Sequence, residues 1–302
     1  MEIDVFVKKV CAAVGDELGE GFHVEARDVR KNNGIILHGM SIRREGMNVA
    51  PTVYLDTFLE AYEAGATFSS IVQRLLEICK EGMARECTDT SFFQSFEKVR
   101  DRICYRLIGR EKNKDMLAEM PYIDFLDLAI CFYYAYHSDT LGDGTIPIYN
   151  SHMELWETCT AELFGLAKRN TARLFPWTCE SMEDILCEMA GGDASLDGMA
   201  GEDTCLLEMS LKVLSNTSRV HGAVCMLYPG VLDSLARKER NRLYILPSSI
   251  HEVILLADDG KIMPDELKKM ISEVNSTQVA PEEVLSDSLY YYDLQDKRVR
   301  IA

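Results

Sequence analysis

The order of apolar and polar residues along the chain predicts most of its elements. The opening segment, "MEIDVFVKKVCAAVGDELGE", sets a short apolar stretch between acids and reads as an amphipathic helix. "HVEARDVRKNNGIILHGMSIRRE" alternates polar and apolar positions on both sides of Asn33-Gly34, a pair that tolerates positive φ and so marks a hairpin. "NVAPTVYLDTFLEAYEAG" predicts a short strand passing into a helix that stops near Gly65. "TFSSIVQRLLEICKEGM" then places Ile71, Leu75 and Ile78 at helical spacing.

The middle of the chain repeats the theme. "LAICFYYAYHSDTLGDGTIPIYN" predicts an apolar strand, a loop built from Asp143 and Gly144, and a second strand. In the helix that follows, Ser151 and Glu154 have the S-x-x-E spacing of a capping box. Its stripe of Leu155, Cys159, Leu163 and Leu166 is expected to face the sheet, with Lys168 and Arg169 in the last turn, where cations complement the helix dipole. In the final third, "LKVLSN" and "GAVCMLY" read as strands, "PGVLDSLARKERN" as a helix, and "LYILP" with "IHEVILLAD" as a strand pair. "PDELKKMISEVN" reads as a helix opened by Pro264, and "LYYYDLQDKRVRIA" as a closing hairpin. Strands and helices mix without a βαβ rhythm. The expected class is α+β, mainly antiparallel sheet units, each a hairpin followed by a helix, packed with helices.

Composition narrows the functional classes. At 302 residues and 47% hydrophobic the chain is long enough for a large buried core. Its longest apolar run, "LAICFYYAY", is far shorter than the roughly 20 residues that span a bilayer, and the acidic start is unlike a secretory signal, so no membrane contact is expected. The ten cysteines are scattered, often inside apolar runs, with no C-x-x-C pair; the nearest spacings, Cys79 to Cys87 and Cys179 to Cys187, match no zinc knuckle. Buried free thiols in the cytoplasm are the expectation, with no metal and no cofactor.

The formal net charge of −17 disfavours direct binding to nucleic acid. It leaves two readings open, solubility or mimicry of nucleic acid. Between Trp177 and Lys212 no basic residue occurs, whereas Glu180, Glu183, Asp184, Glu188, Asp193, Asp197, Glu202, Asp203 and Glu208 do. The first eight of these acids are the candidate binding surface. The same stretch supplies an expected division into an N-terminal α+β region (1–178), an acidic loop or linker (179–208) and a C-terminal α+β region (209–302). A calcium loop is not expected there, because the D-x-D-x-D-G ligand order is absent.

"LPSSIHEVILL" is the most tempting chemical motif, and it is incomplete. A zincin needs a second His four residues after the first, where Leu255 stands, and a serine nucleophile needs G-x-S-x-G, which Ser248 and Ser249 lack. Read as a strand, the segment sends His251 and Glu252 to opposite faces. His23, His38, His137, His152 and His221 stand singly in sequence, and no phosphate-binding G-x-x-x-x-G-K-[ST] is present. A site assembled from distant residues stays open.

The strings "NNGIILHGMSI", "NVAPTVYLDTFLEAYEAG", "NTARLFP", "LYPGVLDSLA", "LYILPSSIHEVILL" and "EVNSTQVAPEEVLSDSLYYYD" together resemble an uncharacterised domain family of anaerobic Gram-positive (Firmicutes) bacteria. The resemblance runs in order over nearly the whole chain and implies a bacterial cytoplasmic protein that travels with mobile elements. It carries no catalytic residues to transfer. The expected function is therefore binding of another macromolecule, a protein, without enzymatic activity. An inhibitor that mimics nucleic acid against a defence enzyme is the alternative, and a hydrolase with a composite site including His251 is the second.

Overall fold

A computed structural model describes residues 1–44, 52–83, 91–138, 142–189, 210–247 and 249–302, and they form antiparallel sheets packed with helices, an α+β fold. Two compact units result: Met1–Ser95 with His137–Gly144, and Phe96–Tyr136 with Thr145–Ala302.

In the first unit, helix α1 (Ile3–Leu18) buries Phe6, Val7, Val10, Cys11 and Val14, one stripe at helical period. That stripe packs with Met40, Ile42, Leu55, Ile71, Leu75 and Cys79 into a single core, to which each fully buried large side chain contributes about 1.5–3 kcal/mol. Strands β1 (Phe22–Arg30) and β2 (Ile36–Arg44) form the expected hairpin, with Asn33 at φ 60° and Gly34 at φ 73° in its turn. Strand β3 (Thr52–Tyr54) pairs with β2 and leads into α2 (Asp56–Glu63) and α3 (Phe68–Met83). Asp56 ties this helix to the sheet, since its carboxylate accepts the His38 backbone N–H and meets His38 Nδ1, both at 2.9 Å.

The second unit holds the short helices α4 (Phe96–Val99) and α5 (Lys114–Ala118) and two sheets. In one, β4 (Ile103–Gly109), β6 (Leu128–Ser138) and β5 (Tyr122–Phe125) lie in the order β4-β6-β5, and β7 (Gly142–Pro147) also pairs with β6. An edge strand exposes unpaired backbone groups. Helix α7 (Thr160–Leu174) covers that edge of β4: Thr171 Oγ1 accepts the Tyr105 N–H at 3.1 Å, and Asn170 Nδ2 donates to the Ile103 carbonyl at 3.0 Å. The other sheet has the order β13-β12-β10-β11-β9-β8. Its strands are β8 (Trp177–Ser181), β9 (Lys212–Asn216), β10 (Leu243–Leu246), β11 (Val253–Ala257), β12 (Tyr290–Asp293) and β13 (Arg298–Ile301). Leu267 and Ile271, one turn apart on the helix Pro264–Thr277, pack on Tyr244, Leu246, Leu256 and Leu289 of this unit.

A buried junction unforeseen in the sequence joins the Leu126-Asp127 turn to the C-terminal segment. The Asp127 carboxylate accepts the hydroxyls of Ser286 (2.5 Å), Ser288 (3.0 Å) and Tyr290 (2.5 Å). Three donors satisfy most of the lone pairs of a half-buried carboxylate, which is what makes its burial tolerable.

Several expectations are corrected. The middle helix breaks in two, α6 (Asn150–Leu155) and α7, with Glu157 at φ 51° between them. Leu155 and Cys159 are consequently exposed, while Leu163 and Leu166 are buried. The first turn of α6 is closed by His152 Nδ1, which accepts the Tyr149 N–H at 3.0 Å; Ser151 is not the cap. Lys168 and Arg169 sit inside α7, whose last turn carries Arg173. Asp143 and Gly144 belong to strand β7. "GAVCMLY" forms a 3-10 helix, Gly222–Leu227, in which Gly222, Ala223, Val224, Cys225 and Met226 are all buried. Residues 177–181 are a strand paired with 212–216, and α8 (Met182–Met189) follows directly.

Candidate functional site

Among the described residues of the second unit the histidines that meet are His221 and His251, and a set of side-chain hydrogen bonds to the backbone brings them there. Asn216, at the end of β9, is 1% exposed and hydrogen-bonded through both side-chain atoms: its Oδ1 accepts from Ser218 N–H (3.1 Å) and Ser218 Oγ (2.9 Å), and its Nδ2 donates to the Val220 carbonyl (2.9 Å). This closes a tight loop that delivers His221 at φ 54° to the start of the 3-10 helix. Opposite it, Ser215 Oγ donates to the His251 carbonyl at 2.8 Å, and the His251 N–H donates to Ser249 Oγ at 3.0 Å. Gly222 lies at the closest approach. A Cβ there would sit 2.2 Å from Ser215 Oγ and 2.4 Å from the His251 carbonyl oxygen, so no larger residue fits without movement.

The two rings lie parallel, with centroids 5.9 Å apart and planes at 8°, and Tyr133 packs on His221 at 5.5 Å. His251 Nδ1 accepts the His221 backbone N–H at 3.3 Å, which places the ring proton on Nε2, facing Glu283 Oε1 at 3.4 Å. His221 is buried, and its Nε2 lies 3.5 Å from Arg106 Nη1. A guanidinium only donates, so His221 Nε2 accepts and its proton resides on Nδ1. Burial, then the Arg106 charge, then His251 hold the His221 pKa well below the ordinary histidine value, so the ring is neutral near pH 7.

Chemically, this arrangement supplies hydrogen-bond donors and an oriented ring. A triad leaves one ring nitrogen of its base free for a nucleophile; here both nitrogens of His251 are engaged, and Ser249 is buried with its oxygen accepting a backbone N–H. Burial pushes the thiol of Cys104 up to about 11 and those of Cys131 and Cys225 to about 12, which keeps them protonated. Among the described residues no three of His, Cys, Asp and Glu are grouped as a metal ion would use them.

The motif read from sequence is thereby rearranged. His251 precedes β11 rather than lying in it, and its carboxylate neighbour is Glu283, not Glu252. Ser248 lies outside the described residues. Of the other histidines, His38 meets Asp56, His137 Nδ1 lies 2.6 Å from Asp143, and His152 stacks on Trp156 at 5.5 Å.

Of the eight acidic candidates, Glu180, Glu183, Asp184 and Glu188 lie within the described residues. Glu180 pairs with Arg219 at 2.8 Å, while Glu183 and Asp184 occupy the first turn of α8, where acids complement the helix dipole. Glu188 lies further along that helix, and Asp193, Asp197, Glu202 and Asp203 lie outside the described residues.

A pocket of about 400 Å³ opens elsewhere on the second unit. Buried Met226, Tyr228, Leu232 and Tyr292 form its floor with half-buried Phe125 and Val299, and exposed Lys297 and Arg298 form its rim. Asp233 also lines it: Arg237 Nε donates to that carboxylate at 2.7 Å and, with Lys297 Nζ at 3.8 Å, holds its pKa below the usual range. With Lys297 and Arg298 against Asp233, the lining keeps one net positive charge within a chain of net charge −17.

The fold and these two sites define an α+β protein with a pocket of about 400 Å³ and a stacked histidine pair, His221 and His251. By sequence it belongs to a family of unknown function, DUF5688, whose model matches residues 3–294. No curated protein and no solved structure matches the chain.

Proposed function

We propose that the protein acts by binding another protein, without chemistry of its own, and that a side chain of the partner is anchored in the pocket of the second unit. The pocket carries this reading. Its volume of about 400 Å³ lies in the range of ligand-sized sites, and an aromatic and aliphatic floor inside a charged rim is the layout of an interface anchor. Lys297 and Arg298 outnumber Asp233 at the pocket and favour an anchor with an acidic neighbour, because at physiological salt charges beyond about 8 Å are screened. The net charge of −17 acts on the encounter, making association dependent on ionic strength.

We place the protein in the cytoplasm. Cys11, Cys79, Cys104, Cys131 and Cys225 are buried free thiols, which suit a reducing compartment, and no described helix is long and apolar enough to cross a membrane.

The test is capture by crosslinking to the purified full chain in extract from its source cells, comparing the native protein with Lys297→Glu/Arg298→Glu. Both residues are exposed, so the fold is retained. The expected result is a partner crosslinked to the native chain and lost from the double variant; a partner list identical for the two contradicts the proposal.

A further inference from the structure

Arg106 is out of place where it stands. On β4 it faces Cys131 of β6, between the rows Cys104 with Tyr133 and Ile108 with Ala129, all of them buried. It is thus a lone cation on an apolar sheet face, and among the described residues it makes no ion pair, although the chain carries 49 acids against 32 bases. Its polar neighbour is His221, whose ring cannot neutralise it.

Two donors at this place have no acceptor. The Nε of Arg106 and the Nδ1 of His221 are both buried without a hydrogen-bond partner among the described residues. Both carry a proton: the guanidinium always, and the imidazole because its Nε2 faces Arg106. Buried donors in folded proteins are satisfied as a rule, and a buried charge is satisfied by an opposite charge. The edge of a guanidinium that carries Nε is the one that meets carboxylate and phosphate in paired hydrogen bonds. Arg106 as a whole is half-buried rather than sealed, and the loop built on Asn216 fixes the position of His221 before any ligand arrives.

We propose that Arg106 and His221 form a binding site for a small oxyanion. The anion accepts from Arg106 Nε and supplies the countercharge that the described residues do not, and the His221 ring positions the guanidinium through Nε2 while offering Nδ1 as a further donor. His251, stacked beside His221 and held by Glu283, keeps that ring in place. The proposal is independent of the pocket and of its partner.

The experiment is calorimetric titration of the full chain with inorganic phosphate and, separately, with acetate, at constant ionic strength set with chloride. Thermal unfolding is followed in the same solutions. Binding of either anion over chloride, with a rise in unfolding temperature, is expected; phosphate alone marks a tetrahedral ligand, acetate alone a carboxylate. Arg106→Met keeps the aliphatic stem and removes the charge, and about tenfold or greater loss of affinity is expected. Should Arg106→Met not fold, Arg106→Lys retains a cation without Nε and His221→Asn retains a residue tolerant of positive φ, and each is expected to weaken binding. No anion effect beyond chloride in the native chain, or native affinity in the Arg106 and His221 variants, overturns the proposal.

Discussion

Gly222→Ala is expected to be among the most damaging single-methyl changes in the chain. Its φ is not in the left-handed region, so the cost comes from space alone. The new Cβ would lie 2.2 Å from Ser215 Oγ, 2.4 Å from the His251 carbonyl and 2.8 Å from the Asn216 nitrogen, where ordinary contact begins at 3.4 Å. Two of these three obstacles are backbone atoms, so β9 and the segment before β11 must separate by about 1 Å, beyond what rotamer changes supply. Overpacking costs about 1–3 kcal/mol, and breaking the Ser215 to His251 bond adds about 1 kcal/mol. A total near 3 kcal/mol lowers the unfolding temperature by about 6–12 °C for a unit of this size. Circular dichroism melting measures it, with Gly165→Ala in α7 as the control. There a Cβ meets nothing within 4 Å, and helix propensity predicts a gain of about 1 kcal/mol. A Gly222→Ala melting temperature within about 1 °C of native would refute the claim that close approach at this glycine holds the histidine pair together.

Asp127→Ala leaves three hydroxyls without their acceptor and is expected to cost about 3 kcal/mol, read from urea unfolding; a cost under about 0.5 kcal/mol would mean the junction is incidental. The two units should respond oppositely to pH through their histidines. The hydrogen bond to Asp56 raises the His38 pKa, so its stabilisation is complete below about pH 6.5 and is lost as pH rises through the folded value; Asp56→Asn should abolish that loss. Burial lowers the His221 pKa, so the unfolded chain alone takes up a proton as pH falls through about 6.5 and stability declines below it, a decline that His221→Asn should remove. Unfolding free energies between about pH 5.5 and 8 that change in the same direction for both variants would contradict the assignment.

Local pattern made the first unit legible. The alternation around Asn33-Gly34, the stripe of α1 and the helical spacing of Ile71 and Leu75 each depend on neighbours a few residues away, and each appears where expected. The failures have tertiary causes. S-x-x-E at Ser151 lost to His152, whose ring reaches the Tyr149 N–H and stacks on Trp156, so the helix begins earlier and ends before α7. "GAVCMLY" has the composition of a buried strand, and composition alone does not distinguish a strand from a buried 3-10 turn. The candidate site was half-visible: His251 stood out beside Glu252, but its partners His221 and Glu283 lie 30 and 32 positions away, and Arg106 115 positions from His221. A lone arginine among Cys, Tyr and Ile in "ICYRLIG" was the available signal, since a charge inside an apolar strand calls for a partner.

The most direct test of the binding function is to fill the pocket. Val299→Trp places a large ring into a space of about 400 Å³ from the strand that lines it, leaving the histidine pair untouched. His251→Ala serves as the converse change. Binding of the crosslinked partner should be lost with Val299→Trp and retained with His251→Ala. Retention with Val299→Trp, or loss only with His251→Ala, would contradict the account.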